Sequence, residues 1–128
     1  MNTPDFNVLV DDIQRRSSIV LTKKRQEYAG DDEVFKNFKN GVGISIAKSP
    51  VGVAWDYNTK HIQSVKDIVL HIEETGKLPD YVTSAYLDEK FGDVNNYFII
   101  MEGIIREMMR LRDLNAFVVQ SPQIDTAK

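Results

Sequence analysis

The sequence has no cysteine and only two histidines, His61 and His71. Without thiols, disulfide framing, thiolate catalysis and thiolate metal ligation are excluded. Two imidazoles also argue against a multi-histidine metal site within one chain. A basic surplus is missing too: 16 lysines and arginines stand against 19 acidic residues, for a net charge of −3. That is not the electrostatic footprint of non-specific duplex binding. No apolar run approaches the roughly 20 residues that a membrane span needs. The stretch Met1-Asn2-Thr3-Pro4-Asp5 has neither the cationic start nor the apolar core of a signal peptide. The expectation is a soluble protein of a reducing cytoplasm, with neither duplex nucleic acid nor membrane among its partners.

What is present is an ordinary globular composition, 128 residues with 42% hydrophobic and 27% charged. A chain of this length makes about one domain and buries roughly two-thirds of its unfolded surface. Apolar residues recur with helical period throughout. Three main helices are expected, at about 4–28, 50–75 and 83–113, with a structured loop over 30–48. That loop has room for one short helical turn near Val34-Phe35 before Gly41-Val42-Gly43 breaks it. Thr3 or Ser49 followed by proline suits a helix start, and Gly30 and Gly76 suit helix ends. The inner face of the second helix is expected at Ala54, Asn58, Ile62, Val65, Val69 and Ile72. The third carries a near-heptad stripe of Leu87, Phe91, Val94, Phe98, Met101, Ile105, Met108 and Leu111. Residues 1–114 therefore read as one all-α domain. Residues 115–128 read as an extended stretch, Phe117-Val118-Val119, and a loose tail. Ile99, Ile100 and Ile104 lie off the stripe as surplus apolar surface, which predicts a helical-bundle homo-oligomer.

Polar residues on faces that should be core carry the chemistry. Tyr57, Lys60, His61, Ser64, Asp67 and His71 follow 3–4 spacing on the second helix. Glu89, Asp93, Asn96 and Tyr97 do so on the third. Lys24, Glu27 and Tyr28 occupy the last turn of the first helix, facing Asp31-Asp32. The alternative is a set of solvated faces with i,i+4 ion pairs, worth a few tenths of a kcal/mol each. Asn96 resists that reading, because a mid-helix asparagine beside the apolar stripe needs partners if buried. Gly92 and Gly103 in the same helix suggest a close approach by another group, with plain packing the simpler account of Gly103. Glu27, Asp67, Glu89 and Asp93 form an oxygen-only set of the kind that suits Mg²⁺ on phosphates. Pairing with Lys24, Lys60 and Lys90 is the competing use of those carboxylates. No serine sits in a nucleophile elbow, and Gly41-Val42-Gly43 lacks the lysine and hydroxyl of a phosphate loop.

The mild net charge hides a split. Residues 1–48 carry eight cations against seven anions, and residues 49–128 carry eight against twelve. Arg15, Arg16, Lys23, Lys24 and Arg25 fall within eleven residues, so a local phosphate pocket is compatible with an acidic whole.

The run Lys23-Lys24-Arg25-Gln26-Glu27-Tyr28-Ala29, followed by Phe35-Lys36-Asn37-Phe38, resembles a small all-helical family common in phages, the nucleotide-modification-associated domains. Lys60-His61 with Ser64 and Asp67, then Glu89-Lys90-Phe91-Gly92-Asp93-Val94-Asn95-Asn96-Tyr97, are similar to its later motifs. The resemblance spans about residues 15–107. It implies a nucleotide-related role, with Glu27, Asn37, Lys60, His61, Asp67, Asp93 and Asn96 as candidate site positions. Gly92-Asp93-Val94 also resembles the MazG-like all-α nucleotide pyrophosphohydrolases. Those use Glu-x-x-Glu and Glu-x-x-Asp to hold Mg²⁺, and neither spacing occurs in this chain.

The leading expectation is a binder of a nucleotide or nucleotide-derived signal, with no catalytic residue and no cofactor. Lys24, Lys60 and His61 would meet phosphates, Asn37 and Asn96 would read polar edges, and Tyr28 or Phe38 would stack on a base; Asp93 belongs to the same group. In a phage protein, sequestering a host immune nucleotide messenger in the host cytoplasm is a use for which binding alone suffices. One alternative is a Mg²⁺-dependent pyrophosphohydrolase with Glu27, Asp67, Glu89 and Asp93 as metal ligands. The other is a non-catalytic helical adaptor docking through its third main helix.

Overall fold

The computed structural model describes residues 1–28 and 33–120, with side chains described to residue 23 in the first stretch and to residue 117 in the second. All regular structure among these residues is helical: α1 (Thr3–Tyr28), α2 (Lys36–Gly41), α3 (Pro50–Thr75) and α4 (Ser84–Gln120). Residues 121–128, the stop expected at Gly30 and the pair Asp31-Asp32 lie outside the described residues.

Local chemistry sets the helix ends. Asn2, rather than Thr3, caps α1: its Oδ1 accepts from the Asp5 N–H at 2.9 Å, which places Thr3 in the first turn and Pro4 behind it. Ser49 caps α3 by accepting from the Gly52 N–H at 3.1 Å, with Pro50 at the first helical position. Gly76 ends α3 in the left-handed region at φ 70°, and its N–H donates to Ile72 O. Thr83 opens α4, accepting from the Tyr86 N–H at 3.1 Å. α4 does not stop near residue 113. It runs to Gln120, so Phe117-Val118-Val119 is helical rather than extended. No glycine or proline interrupts the chain between Gly103 and Pro122, and three β-branched or aromatic residues alone do not end a helix.

α3 and α4 lie antiparallel, and α2 inserts against both. The buried cluster is Phe38 from α2, Val53 and Ala54 from α3, and Met101 and Ile104 from α4, with Phe35, Val42, Tyr97 and Ile100 packed on it. α2 is the unit that the short turn near Val34-Phe35 anticipates, displaced by a few residues. Gly41 fits because α3 comes close: a Cβ there would lie 2.7 Å from Val53 Cγ1. α1 packs on α4, marked by Arg16 and Asp88 at 3.2 Å, both half exposed.

The faces differ from the expected ones. On α3 the buried positions are Val53, Ala54, Asn58 and Ile68, while Val69 and Ile72 are exposed. On α4 the heptad stripe is not the core line. Only Met101 of that stripe is buried, and Leu87, Phe91, Phe98, Ile105, Met108 and Leu111 are exposed. Ile104, taken as surplus, is core; Ile100 packs on the core and Ile99 stays exposed. The physical reason is that α2 docks beside Tyr97 and Ile100, which turns that side of α4 inward.

Candidate functional site

The 3–4 spacing of Tyr57, Lys60 and His61 puts them on one side of α3, and Asp93, Asn96, Tyr97 and Ile100 share one side of α4. Where these sides meet, α2 and the turn before it supply Val34, Phe35, Asn37 and Phe38. Leu21 of α1 and Ile99 of α4 form the outer lip. Together they enclose a cleft of ≈ 630 Å³, within the usual size of small-molecule sites.

The cleft wall is aromatic. Phe38 meets Tyr97 edge-on at 6.2 Å between ring centres and lies tilted against Tyr57 at 6.0 Å. His61 stacks on Tyr97 at 5.3 Å and 27°. These are normal separations for favourable ring pairs, so the wall holds its shape without a ligand. His61 Nδ1 stands 3.5 Å from Asp93 Oδ2, ion-pair range when the imidazole is protonated rather than a tight hydrogen bond. Phe35 reaches its place because Gly103 leaves room on α4, where a Cβ would come within 3.0 Å of Phe35 Cζ. The close approach suggested by glycine in α4 is thus at Gly103; Gly92 has nothing within 4 Å.

An ion-pair clamp holds the aromatic turn. Lys39 Nζ sits 2.8 Å from Glu33 Oε2 and 3.2 Å from Glu107 Oε1, tying α2 to its own entry and to α4. Glu33 Oε1 also accepts from the Phe35 N–H at 3.0 Å. The Lys39 hydrogen bond, then that from Phe35, lowers the Glu33 carboxyl below its ordinary range. Hydrogen bonds to Glu33 and Glu107 raise the Lys39 ammonium above its own.

Asn96 is the unusual member. It is 6% exposed, and its Oδ1 has no hydrogen-bond partner among the described residues; fully buried Asn58 on α3 has none among them at either amide atom. A buried polar atom without a partner costs about 1–3 kcal/mol.

Six of the eight expected ligand-contacting residues line this one cleft: Asn37, Phe38, Lys60, His61, Asp93 and Asn96. The side chains of the other two, Lys24 and Tyr28, lie outside the described residues, as does that of Glu27. The carboxylate set is not brought together among the described residues. Asp93 lines the cleft, but Asp67 is exposed and accepts from Gln63 Nε2 at 2.7 Å. Glu89 is exposed beside Lys90 at 3.5 Å. No three histidine, aspartate or glutamate side chains among the described residues are grouped to hold a metal ion. Phe35, Tyr57, Tyr97, Leu21 and Val34 were not expected as lining residues. The i,i+3 pair Phe35/Phe38 opposite a helical glycine is the signal for the first. Tyr57 and Tyr97 were visible as members of polar stripes without being assigned a contact.

No protein-family model matches the chain, and no curated protein or solved structure matches it.

Proposed function

We propose that the cleft binds a nucleotide or a nucleotide-derived signal and holds it without turning it over. The observation that carries this reading is the combination in one cavity of an aromatic wall, a cation at the rim and a buried acceptor with no partner among the described residues. A planar base stacks on the Phe38, Tyr97 and His61 surface, where base–aromatic contact is worth about 1–3 kcal/mol. Asn96 Oδ1 accepts from a ring or exocyclic N–H of that base, gaining the partner it lacks. Lys60, exposed beside His61, meets phosphate oxygens as a point charge. The likeness of the Lys23–Phe38 and Glu89–Tyr97 stretches to phage nucleotide-modification-associated domains supports the same ligand class. Sequestration of a host messenger by a phage protein is the biological use that fits binding alone. A homo-oligomer is the working form of this reading, supported by the exposed apolar length of α4.

Isothermal titration with mono-, tri- and cyclic nucleotides tests the reading. We expect saturable heat at micromolar protein with at least one of them, and that ligand should be recovered intact after denaturation. Lys60→Gln should weaken it about 10- to 100-fold, the scale of a lost charge-assisted hydrogen bond. Absence of heat with every nucleotide would overturn the reading, and recovery of cleaved products would replace it with the hydrolytic one.

A further inference from the structure

We infer that the cleft selects guanine among the bases, with Asn96 Oδ1 accepting from the ring N1–H and the Asp93 carboxylate accepting from the exocyclic N2 amino group. The inference rests on the nucleotide reading of the cleft and names the base that it takes.

Depth sorts the polar groups that line the cleft. Asn96 is 6% exposed, and the side chains of His61 and Asp93 are 15% and 18% exposed. Asn37, Tyr57 and Lys60 are exposed at the mouth. The inner end thus holds an amide oxygen with no donor among the described residues and a carboxylate, whose Oδ2 stands 3.5 Å from His61 Nδ1. An ionised carboxylate accepts hydrogen bonds and cannot donate one, whereas the lysine ammonium at the mouth donates and cannot accept. The fitting ligand is the complement: N–H donors on the end that goes in, and negative charge on the end that stays out.

Asp93 and Asn96 are three residues apart on α4 and both line the cleft. Side chains at that spacing share a helix face with Cβ atoms about 5–6 Å apart, within reach of neighbouring donors on one base edge. Guanine is the base with two adjacent donors on its pairing edge, N1–H and the N2 amino group. Adenine and cytosine each set one amino group beside a ring-nitrogen lone pair, and uracil sets one N–H between two carbonyls. Any of these brings an acceptor against Asn96 Oδ1 or Asp93, which desolvates both without a hydrogen bond. The aromatic wall of Phe38, Tyr97 and His61 accepts any base, because every base has a π-face. The choice of base therefore falls to Asn96 and Asp93.

The test is isothermal titration of the full chain with GMP, IMP, AMP, CMP and UMP at one pH and salt concentration. GMP should bind about 10- to 100-fold more tightly than IMP, which lacks only the N2 amino group. IMP should in turn bind more tightly than AMP, which has a lone pair in place of N1–H. Asp93→Asn supplies an amide donor where the carboxylate only accepts. It should weaken GMP and strengthen XMP, whose C2 carbonyl replaces the amino group, by about tenfold or more each. A gain of XMP affinity cannot come from unfolding, and should the variant fail to fold, the order of GMP, IMP and AMP on the native chain decides alone. Equal affinities for GMP, IMP and AMP, or a preference for AMP or a pyrimidine, overturn the inference and leave the nucleotide reading standing. An Asp93→Asn chain that still prefers GMP to IMP overturns it as well. GMP without heat overturns it too, and the nucleotide reading falls with it only if the wider panel of mono-, tri- and cyclic nucleotides is also silent.

Discussion

Asn96 and Asn58 face the interior from adjacent helices with amide atoms that nothing among the described residues satisfies. For folding alone an apolar side chain at either place is better, because the unsatisfied amide forfeits about 1–3 kcal/mol. Retaining Asn96 at the cleft makes sense when the missing partner arrives with a ligand. Asn96→Leu should therefore raise the unfolding free energy by about 1–2 kcal/mol and the melting temperature with it, while lowering nucleotide affinity at least tenfold. Thermal melts and titrations on the same preparation check both halves. A variant that is less stable and binds equally well would show that Asn96 serves packing instead. His61 and Asp93 belong to the same scale. Their placement beside Tyr97 was legible from the 3–4 spacing on each helix, because that spacing alone decides which side chains share a face. The orphaned amides were only half legible: the sequence marks Asn96 as an oddity, but satisfaction of a polar atom depends on neighbours that only the fold supplies.

Among the elements, α2 does most for the cleft with the fewest residues. Six residues deliver Phe38 to the core, and the preceding turn delivers Phe35 to Gly103. The clamp of Glu33, Lys39 and Glu107 keeps that turn against α4. Its pH dependence follows from the two shifts. Glu33 is lowered, so its contribution is present above the ordinary carboxylate range and is lost as pH falls from there through its own lowered value. Lys39 is raised, so its contribution is complete below the ordinary lysine value and is lost as pH rises from there through its own raised value. The clamp is thus whole around neutrality. All three groups are solvent-accessible, so salt also weakens it. Amides of 36–41 should lose protection, after correction for intrinsic exchange, on acidification below the ordinary glutamate range, where Glu33 takes up its proton. Glu33→Gln should produce the same loss at neutral pH. Protection that ignores both would show that aromatic packing alone seats α2. Helix ends were legible at this scale where the cap is a short local motif, as at Ser49-Pro50 and Gly76. The cap at α1 was misplaced by one residue because asparagine and threonine are both good caps and only the Asp5 N–H geometry decides between them. Which face of α4 becomes core was not legible. A heptad stripe of Phe91, Phe98 and Ile105 is the stronger periodic signal, yet α2 docks on the other side.

For the whole molecule, the balance of buried and exposed apolar side chains decides the stability. One compact cluster of Phe38, Val53, Ala54, Met101 and Ile104 ties α2, α3 and α4 together, with Ile68 buried elsewhere on α3. From Met108 to Phe117 every side chain of α4 is exposed, so these turns of the helix gain little from the core. An isolated helical segment of that length is marginal in water, since nucleation is costly and propagation adds little per residue. Apolar burial by another helix would stabilise it, and the same holds for α1, whose Phe6, Ile13 and Val20 are about half exposed. If assembly supplies that burial, stability is linked to concentration by mass action. The melting temperature should then rise steadily over successive tenfold increases in protein concentration, and the far-UV helix signal should fall on dilution before the tertiary signal of Trp55 or the tyrosines is lost. The order matters because α2, α3 and the inner part of α4 share the buried cluster, to which α1 and the outer turns of α4 supply no described residue. A melting temperature independent of concentration, with helix and tertiary signals lost together, would place all the stabilisation within one chain and leave the exposed stripes without a structural role.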